Sequence, residues 1–360
     1  LCQLGCKKDE QIGNVTGLLA NKLGDPDRKL ASRAMYYLQE VINGQPKVTE
    51  SVIGQVEQVI QRPGISEKAQ YYGLTFLSQV MLSHESPEVT DRLVKLYLAL
   101  LRTTIIPSIV REAEKLKKAK KGPRKGKKVR RQEKSVEVEL APATSRLAKV
   151  VITGLNRALP FYKGTSSSDL MADLAGPLKK LIDGQSFSTS LQALTLYFQL
   201  VSIPSGGSAS LNDTSFIKTV EGVLTTKAEA TVESSCHPQL LTALYKILSQ
   251  PDLSIGPTER LLKGLFGLVF KVQSTAFALS ALFLLADLLE GKPALKAMLS
   301  IPADEQGSCC WALHILQDHY DERVARLAGS ILEGTPNSDV LGGKSPFDVC
   351  SSLAALSSLQ

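Results

Sequence analysis

Thirteen lysines and arginines fall between Arg111 and Lys134, against Glu112, Glu114 and Glu133. That density suits one kind of chemistry: point charges on a short stretch of chain that neutralise a phosphate backbone and release its counterions, without register on the bases. The cations that would do this are Lys115, Lys117, Lys118, Lys120, Lys121, Arg124, Lys125, Lys127, Lys128, Arg130 and Arg131. The same cluster has the composition of a nuclear or nucleolar import signal, and the two uses are compatible. An anionic membrane surface fits less well, because the run has no amphipathic face. Just downstream, NRALPFYKG (Asn156 to Gly164) sets Arg157 and Lys163 beside Phe161 and Tyr162, an aromatic and basic mixture that can hold single-stranded RNA. The competing reading ends a helix at Pro160 and tucks Phe161 into the core.

The basic run carries a net charge of +10, whereas the whole 360-residue chain carries +7, which leaves −3 for everything else. The pI of about 9.0 therefore belongs to one segment beside a nearly neutral remainder. A protein that coats nucleic acid with its whole surface would look different.

Residues for covalent or acid–base chemistry are sparse. Of His84, His237, His314 and His319, the best placed is His319, with Asp318 or Asp321 near enough in sequence to orient an imidazole. The simpler reading makes it a helix-end histidine. Phosphate-loop, dinucleotide-binding and nucleophile-elbow motifs are absent from the sequence, and SGGS at 205–208 lacks the lysine that follows in a phosphate loop. The pairs Asp25/Asp27 and Asp304/Glu305 sit in turn-like contexts suited to helix caps. Cys2, Cys6, Cys236, Cys309, Cys310 and Cys350 are scattered, read as reduced thiols, and make no metal set with the histidines. The expectation is a protein without catalytic residues, metal or cofactor.

The elements that must carry the basic run read as helices almost throughout. Ala34, Leu38, Val41 and Ile42 follow the three-and-four spacing of one helix face, as do Leu74, Leu77 and Met81; Leu93, Leu96, Tyr97 and Leu100; and Leu191, Leu194, Phe198 and Val201. Between them lie RPGIS (62–66), SHESPE (83–88), SIPSGGSAS (202–210), SQPDLSIGPTE (249–259) and EGKPA (290–294), where Pro and Gly stop one helix and Ser, Asp or Thr start the next. The most apolar stretch, Ala276 to Leu289, contains Asp287 and is too short to cross a bilayer, which needs about twenty residues; it reads as a helix buried on all sides. Tyr36-Tyr37 and Tyr71-Tyr72 open two similar segments at a spacing that suits stacked helix pairs. The reading is an all-α helical-repeat solenoid, HEAT- or armadillo-like, interrupted by a basic linker: an array over 1–112, a flexible linker over 113–142 that orders when bound, and a second array over 143–360. The chain opens on Leu1 and reads as part of something longer. Phe187, Tyr197 and Tyr320 are the aromatics expected to face a protein partner.

Six strings, RAMYYLQEVI, RPGISEKAQYYGLTFLSQVMLSHE, TGLNRALPF, FSTSLQALTLYFQL, FALSALFLLADLLEGKPALKAML and SCCWALHILQDHYDERVARLAGSILEG, resemble in order the CCAAT-binding-factor family. The Tyr-Tyr pairs and TGLNRALPF are most like its zeta-type branch. Two departures stand out: HYDERV replaces the family's His-Tyr-His-Pro run, and LAALSSLQ at 353–360 matches its closing Phe-Leu-Asp-Arg-Phe element poorly. The resemblance implies a helical solenoid of the nucleolus and nucleus, non-catalytic, that scaffolds pre-rRNA in early large-subunit precursor particles with a second nucleolar complex protein, and it implies no membrane and no small-molecule substrate. The alternative carried by the family's name is a transcriptional regulator of CCAAT-box promoters; no helix-turn-helix, zinc or basic-zipper element in the sequence supports it.

Overall fold

The computed structural model describes residues 9–84, 86–108, 111, 142–162, 167–184, 186–202, 214–227, 236–272, 274–292, 295 and 310–334. Among them are fourteen α-helices and no strand, so the all-α expectation holds. The chain forms two compact units, Leu1–Ile203 and Pro204–Gln360.

The first unit contains α1 (Asp9–Lys22), α2 (Arg28–Gly44), α3 (Thr49–Ile60), α4 (Glu67–Gln79), α5 (Pro87–Leu100), α6 (Pro142–Ala158), α7 (Ser167–Gly184) and α8 (Phe187–Ser202). Three of its helices start at signals that the sequence supplies. Asp27 accepts from the Lys29 amide at 2.9 Å to open α2, Ser66 accepts from the Ala69 amide at 3.2 Å to open α4, and Pro87 stands in the first turn of α5. The recurrent packing is of a helix on the next but one, α1 on α3, α2 on α4, α3 on α5, α4 on α6 and α6 on α8, with neighbours α1 and α2, α3 and α4, α5 and α6, and α7 and α8 also packed. That pattern defines a helical-repeat stack, because a short helix pair cannot bury its apolar face alone. α2 and α4, the two Tyr-Tyr helices, are packed together as equivalent members of successive repeats. One expected position fails: α4 stops at Gln79, the backbone turns extended at Val80, and Met81 is left 77% exposed.

The basic run does not coincide with the cut between units. α6, which follows it, packs on α4 and α5, which precede it.

The second unit contains α9 (Thr214–Gly222), α10 (His237–Leu248), α11 (Ile255–Val272), α12 (Thr275–Gly291), α13 (Cys310–Gln317) and α14 (Glu322–Leu332). α9 packs on α11, α10 on α12, α11 on α12 and α12 on α14. From Ala276 to Leu289, α12 is buried at every position but Asp287. That charged exception is at the periphery, where it takes a hydrogen bond from Tyr245 of α10 and so raises the phenol's pKa. As its length required, α12 is a core rod, and no helix among the described residues is long and apolar enough to cross a membrane.

Candidate nucleic-acid interface

The helix that follows the basic run is two-faced. Leu147, Ala148, Val151, Ile152, Leu155 and Ala158 recur at three- and four-residue intervals and are buried. Arg146, Lys149 and Arg157 are exposed, and at about 100° per residue they lie within about 80° of one another. No carboxylate among the described residues pairs with any of the three. Lys149 donates instead to the Ser188 hydroxyl at 3.3 Å, and the Arg157 guanidinium donates to the carbonyl of Val80 at 3.4 Å. Arg157 thus covers a carbonyl at the C-terminal end of α4, where a cation meets the negative end of the helix dipole. This is a positive stripe with its charge left over for an outside anion.

The TGLNRALPF string fixes how that stripe is presented. A Cβ at Gly154 would lie 2.4 Å from Cζ of Tyr97 and 2.8 Å from both of its Cε atoms, so the α5 tyrosine lies directly on the α6 backbone and glycine is required there. Gly73 of α4 plays the same part toward α3, its virtual Cβ 2.8 Å from Cγ1 of Ile60. Asn156 donates its amide to the carbonyl of Gln192 at 3.0 Å, and the Gln199 amide donates back to the carbonyl of Asn156 at 3.3 Å, which ties α6 to α8. Tyr97 is 1% exposed and its hydroxyl has no hydrogen-bond partner among the described residues. Burial pushes its phenol well above the ordinary range, with the positive charge of Arg157 acting the other way.

The residues singled out from the sequence are distributed unevenly over this geometry. Lys115, Lys117, Lys118, Lys120, Lys121, Arg124, Lys125, Lys127, Lys128, Arg130 and Arg131 lie outside the described residues, as do Lys163 and the Asp304/Glu305 pair. Arg157 is on the surface of α6. α6 ends at Ala158 and runs into a tight turn, Leu159–Phe161, where Leu159 is buried and Phe161 is half-buried with its ring 4.7 Å from that of His84. Tyr197 corrects an expectation: at 2% exposure it is a core residue, because it falls on the buried side of α8 with Leu194 and Val201. Tyr320 is exposed and Phe187 half-buried.

His319 belongs to a helix cap. Its Nδ1 accepts the Asp321 amide at 3.0 Å and its ring stacks on Tyr320 at 4.3 Å. The Asp321 carboxylate caps α14 through the Arg323 amide at 3.0 Å and pairs with the Arg323 guanidinium at 2.8 Å, which holds it below the usual carboxylate range. Asp321 therefore faces Arg323, and the pair does not assemble a general base. Asp27 likewise caps α2, while Asp25 accepts from the Asp27 amide at 3.0 Å and pairs with Lys22 at 3.1 Å. No group of three or more His, Cys, Asp or Glu side chains among the described residues could hold a metal ion.

Two exposed aromatics were missed from the sequence. Tyr36 and Tyr37 are 64% and 40% exposed on α2, in line with Lys29 and Arg33. The signal was present: Tyr36 stands about 160° around the helix from Leu38, opposite the apolar stripe.

No family model matches the sequence, but curated relatives do. A mouse protein named CCAAT/enhancer-binding protein zeta is 28% identical over 297 residues, covering 82% of this chain and 24% of the relative. A Chaetomium thermophilum protein named Ribosome biogenesis protein NOC1 is 30% identical over 313 residues, covering 83% of this chain and 28% of the relative. These relatives bear out the resemblance to the CCAAT-binding-factor family. A Drosophila melanogaster protein named Nucleolar complex protein 1 is 39% identical over 88 residues, 24% of this chain and 7% of the relative. The chain spans about a quarter of the length of the relatives that it matches over most of its own.

Proposed function

We propose that this chain is a non-catalytic assembly factor for the large ribosomal subunit, which scaffolds pre-rRNA in early nucleolar particles together with a second helical-repeat nucleolar complex protein. The observation that carries this reading is the extended match, over four-fifths of the chain, to a relative named for ribosome biogenesis. The name of the Drosophila relative supports the nucleolus as its compartment. The physical chemistry agrees with both. Two helical stacks offer large surfaces without a catalytic constellation among the described residues, α6 leaves Arg146, Lys149 and Arg157 without acidic partners, and the preceding run adds a net charge of +10. Phosphate binding of this type is sequence-poor and steeply salt-dependent. The CCAAT-box reading has the relatives' name behind it and no DNA-binding element among the described residues.

The test is crosslinking to RNA in cells with sequencing of the bound fragments. Wild type is compared with a variant in which Lys117, Lys118, Lys120, Lys121, Arg124, Lys125, Lys127 and Lys128 are all changed to Glu and an unrelated import signal is appended. Reads concentrated on large-subunit precursor segments and depleted in the variant support the proposal and assign the run to RNA. Reads that persist in the variant make the run an import signal. Absence of precursor rRNA from wild type contradicts the function itself.

A further inference from the structure

The solvent face of α2 carries a second set of groups with the same polarity as α6 and a different chemistry. Lys29, Arg33, Tyr36 and Glu40 fall within about 60° of one another around the helix, with Tyr37 alongside, and all five are exposed. The Tyr36 and Tyr37 rings meet edge to face at 5.6 Å, so neither lies flat on the protein surface under the other.

The electrostatics of this face are unfavourable as they stand. α2 opens with Arg28 and Lys29 and has no acidic residue in its first turn, although that turn is the positive end of the helix dipole. Lys29 and Arg33, four residues apart, are like charges in the repulsive spacing. Several cations elsewhere in the described residues are neutralised by carboxylates, Lys22 by Asp25, Arg92 by Glu57, Lys95 by Asp91, Arg260 by Glu221, Lys263 by Glu259 and Arg323 by Asp321, whereas Arg146, Lys149 and Arg157 of α6 are not. Arg28, Lys29 and Arg33 have no such partner among the described residues. The Asp27 carboxylate is taken up in capping, and Glu40 is the one acid on the stripe. An anion docked here would relieve the repulsion, and the exposed phenol rings beside the cations offer flat apolar surface to what that anion carries.

We propose that the outer face of α2 is a stacking surface for single-stranded RNA, with Arg28, Lys29 and Arg33 on phosphates and Tyr36 against a base. A protein partner with an acidic surface would use the cations and leave Tyr36 without a stacked base. Stacking is tolerant of sequence because every base has a π face, and it requires unpaired bases, so duplex RNA is excluded by the same geometry. The proposal rests on the reading of the chain as an RNA-facing assembly factor and adds a location independent of the basic run.

The experiment uses the full chain with a labelled single-stranded oligouridine of about a dozen nucleotides, and a duplex of the same length as control. Tyr36→Ala weakens oligouridine binding on the order of tenfold, Tyr36→Phe retains it, and neither changes the helical circular dichroism. Lys29→Gln with Arg33→Gln lowers the slope of log affinity against log salt by about 0.7 for each phosphate no longer neutralised. Ultraviolet crosslinking with bromouridine in the same oligonucleotide places adducts on the peptide containing Tyr36, a readout that a purely structural tyrosine would not give. Unchanged affinity and no adduct in that peptide overturn the proposal, as does equal loss with Phe and Ala, or a Tyr36→Ala chain whose RNA binding is intact while its retention of an acidic protein surface is lost. Those outcomes leave the precursor-rRNA crosslinks of the basic run untouched, so the two readings fail separately.

Discussion

α2 and α12 are both seventeen residues long and differ in almost every other respect. α2 buries Ala31, Ala34, Leu38, Val41 and Ile42 and turns basic and aromatic residues outward, whereas α12 buries thirteen residues around its whole circumference. A helix enclosed on all sides can stabilise a stack and has no face left for a partner; a helix enclosed on one side can do both. The proposed recognition accordingly uses two-faced helices, α2 and α6, while an enclosed helix such as α12 serves stability.

The comparison can be broken first at α12. Phe277 is fully buried, so Phe277→Ala should destabilise the second unit by about 4 kcal/mol, read as a fall in the urea midpoint. A loss under about 1 kcal/mol would mean that α12 is not the rod described. In the first unit, Gly154→Ala puts a methyl into the Tyr97 ring and should cost about 3 kcal/mol, the upper end of overpacking, with recovery when Tyr97→Leu is added. Failure of that rescue would separate the glycine from the tyrosine.

A smaller effect concerns pH. The Tyr97 phenol is raised above its ordinary value, so its contribution to stability is complete below pH about 10, the unfolded value, and is lost as pH rises above that toward the folded one. Tyr97→Phe should be neutral to stabilising by about 1 kcal/mol at pH 7, because it removes a buried hydroxyl without a partner, and it should flatten the alkaline loss measured by denaturation at pH about 11. The smallest expected change in stability is that of Tyr36→Ala, under about 0.5 kcal/mol by thermal melting. If that variant melts early, Tyr36 is a packing residue and α2 is less two-faced than its exposure says.

The helices themselves were legible because their apolar residues recur at helical spacing, and all four positions named for α2 are buried. Met81 was not, since periodicity continues past Gln79 while the backbone does not. Which helices pair was also hidden: α6 meets α5 across the basic run and α8 beyond it through Gly154 against Tyr97 and Asn156 against Gln192, and such matches between distant side chains have no sequence period. Tyr197 was misplaced for the opposite reason, as an aromatic residue was credited with a partner when its position on α8 already assigned it to the core. His319 and Asp321 have the composition of an acid–base pair, and the cap geometry that occupies them is decided by a two-residue turn.

The measurement that bears most directly on the function is the sedimentation of the endogenous protein on a gradient of a nuclear extract. The account predicts that it travels with large-subunit precursor particles and returns to the top of the gradient after ribonuclease treatment. A protein that sediments free of precursor particles in the untreated extract, or stays with chromatin through ribonuclease treatment, would contradict it.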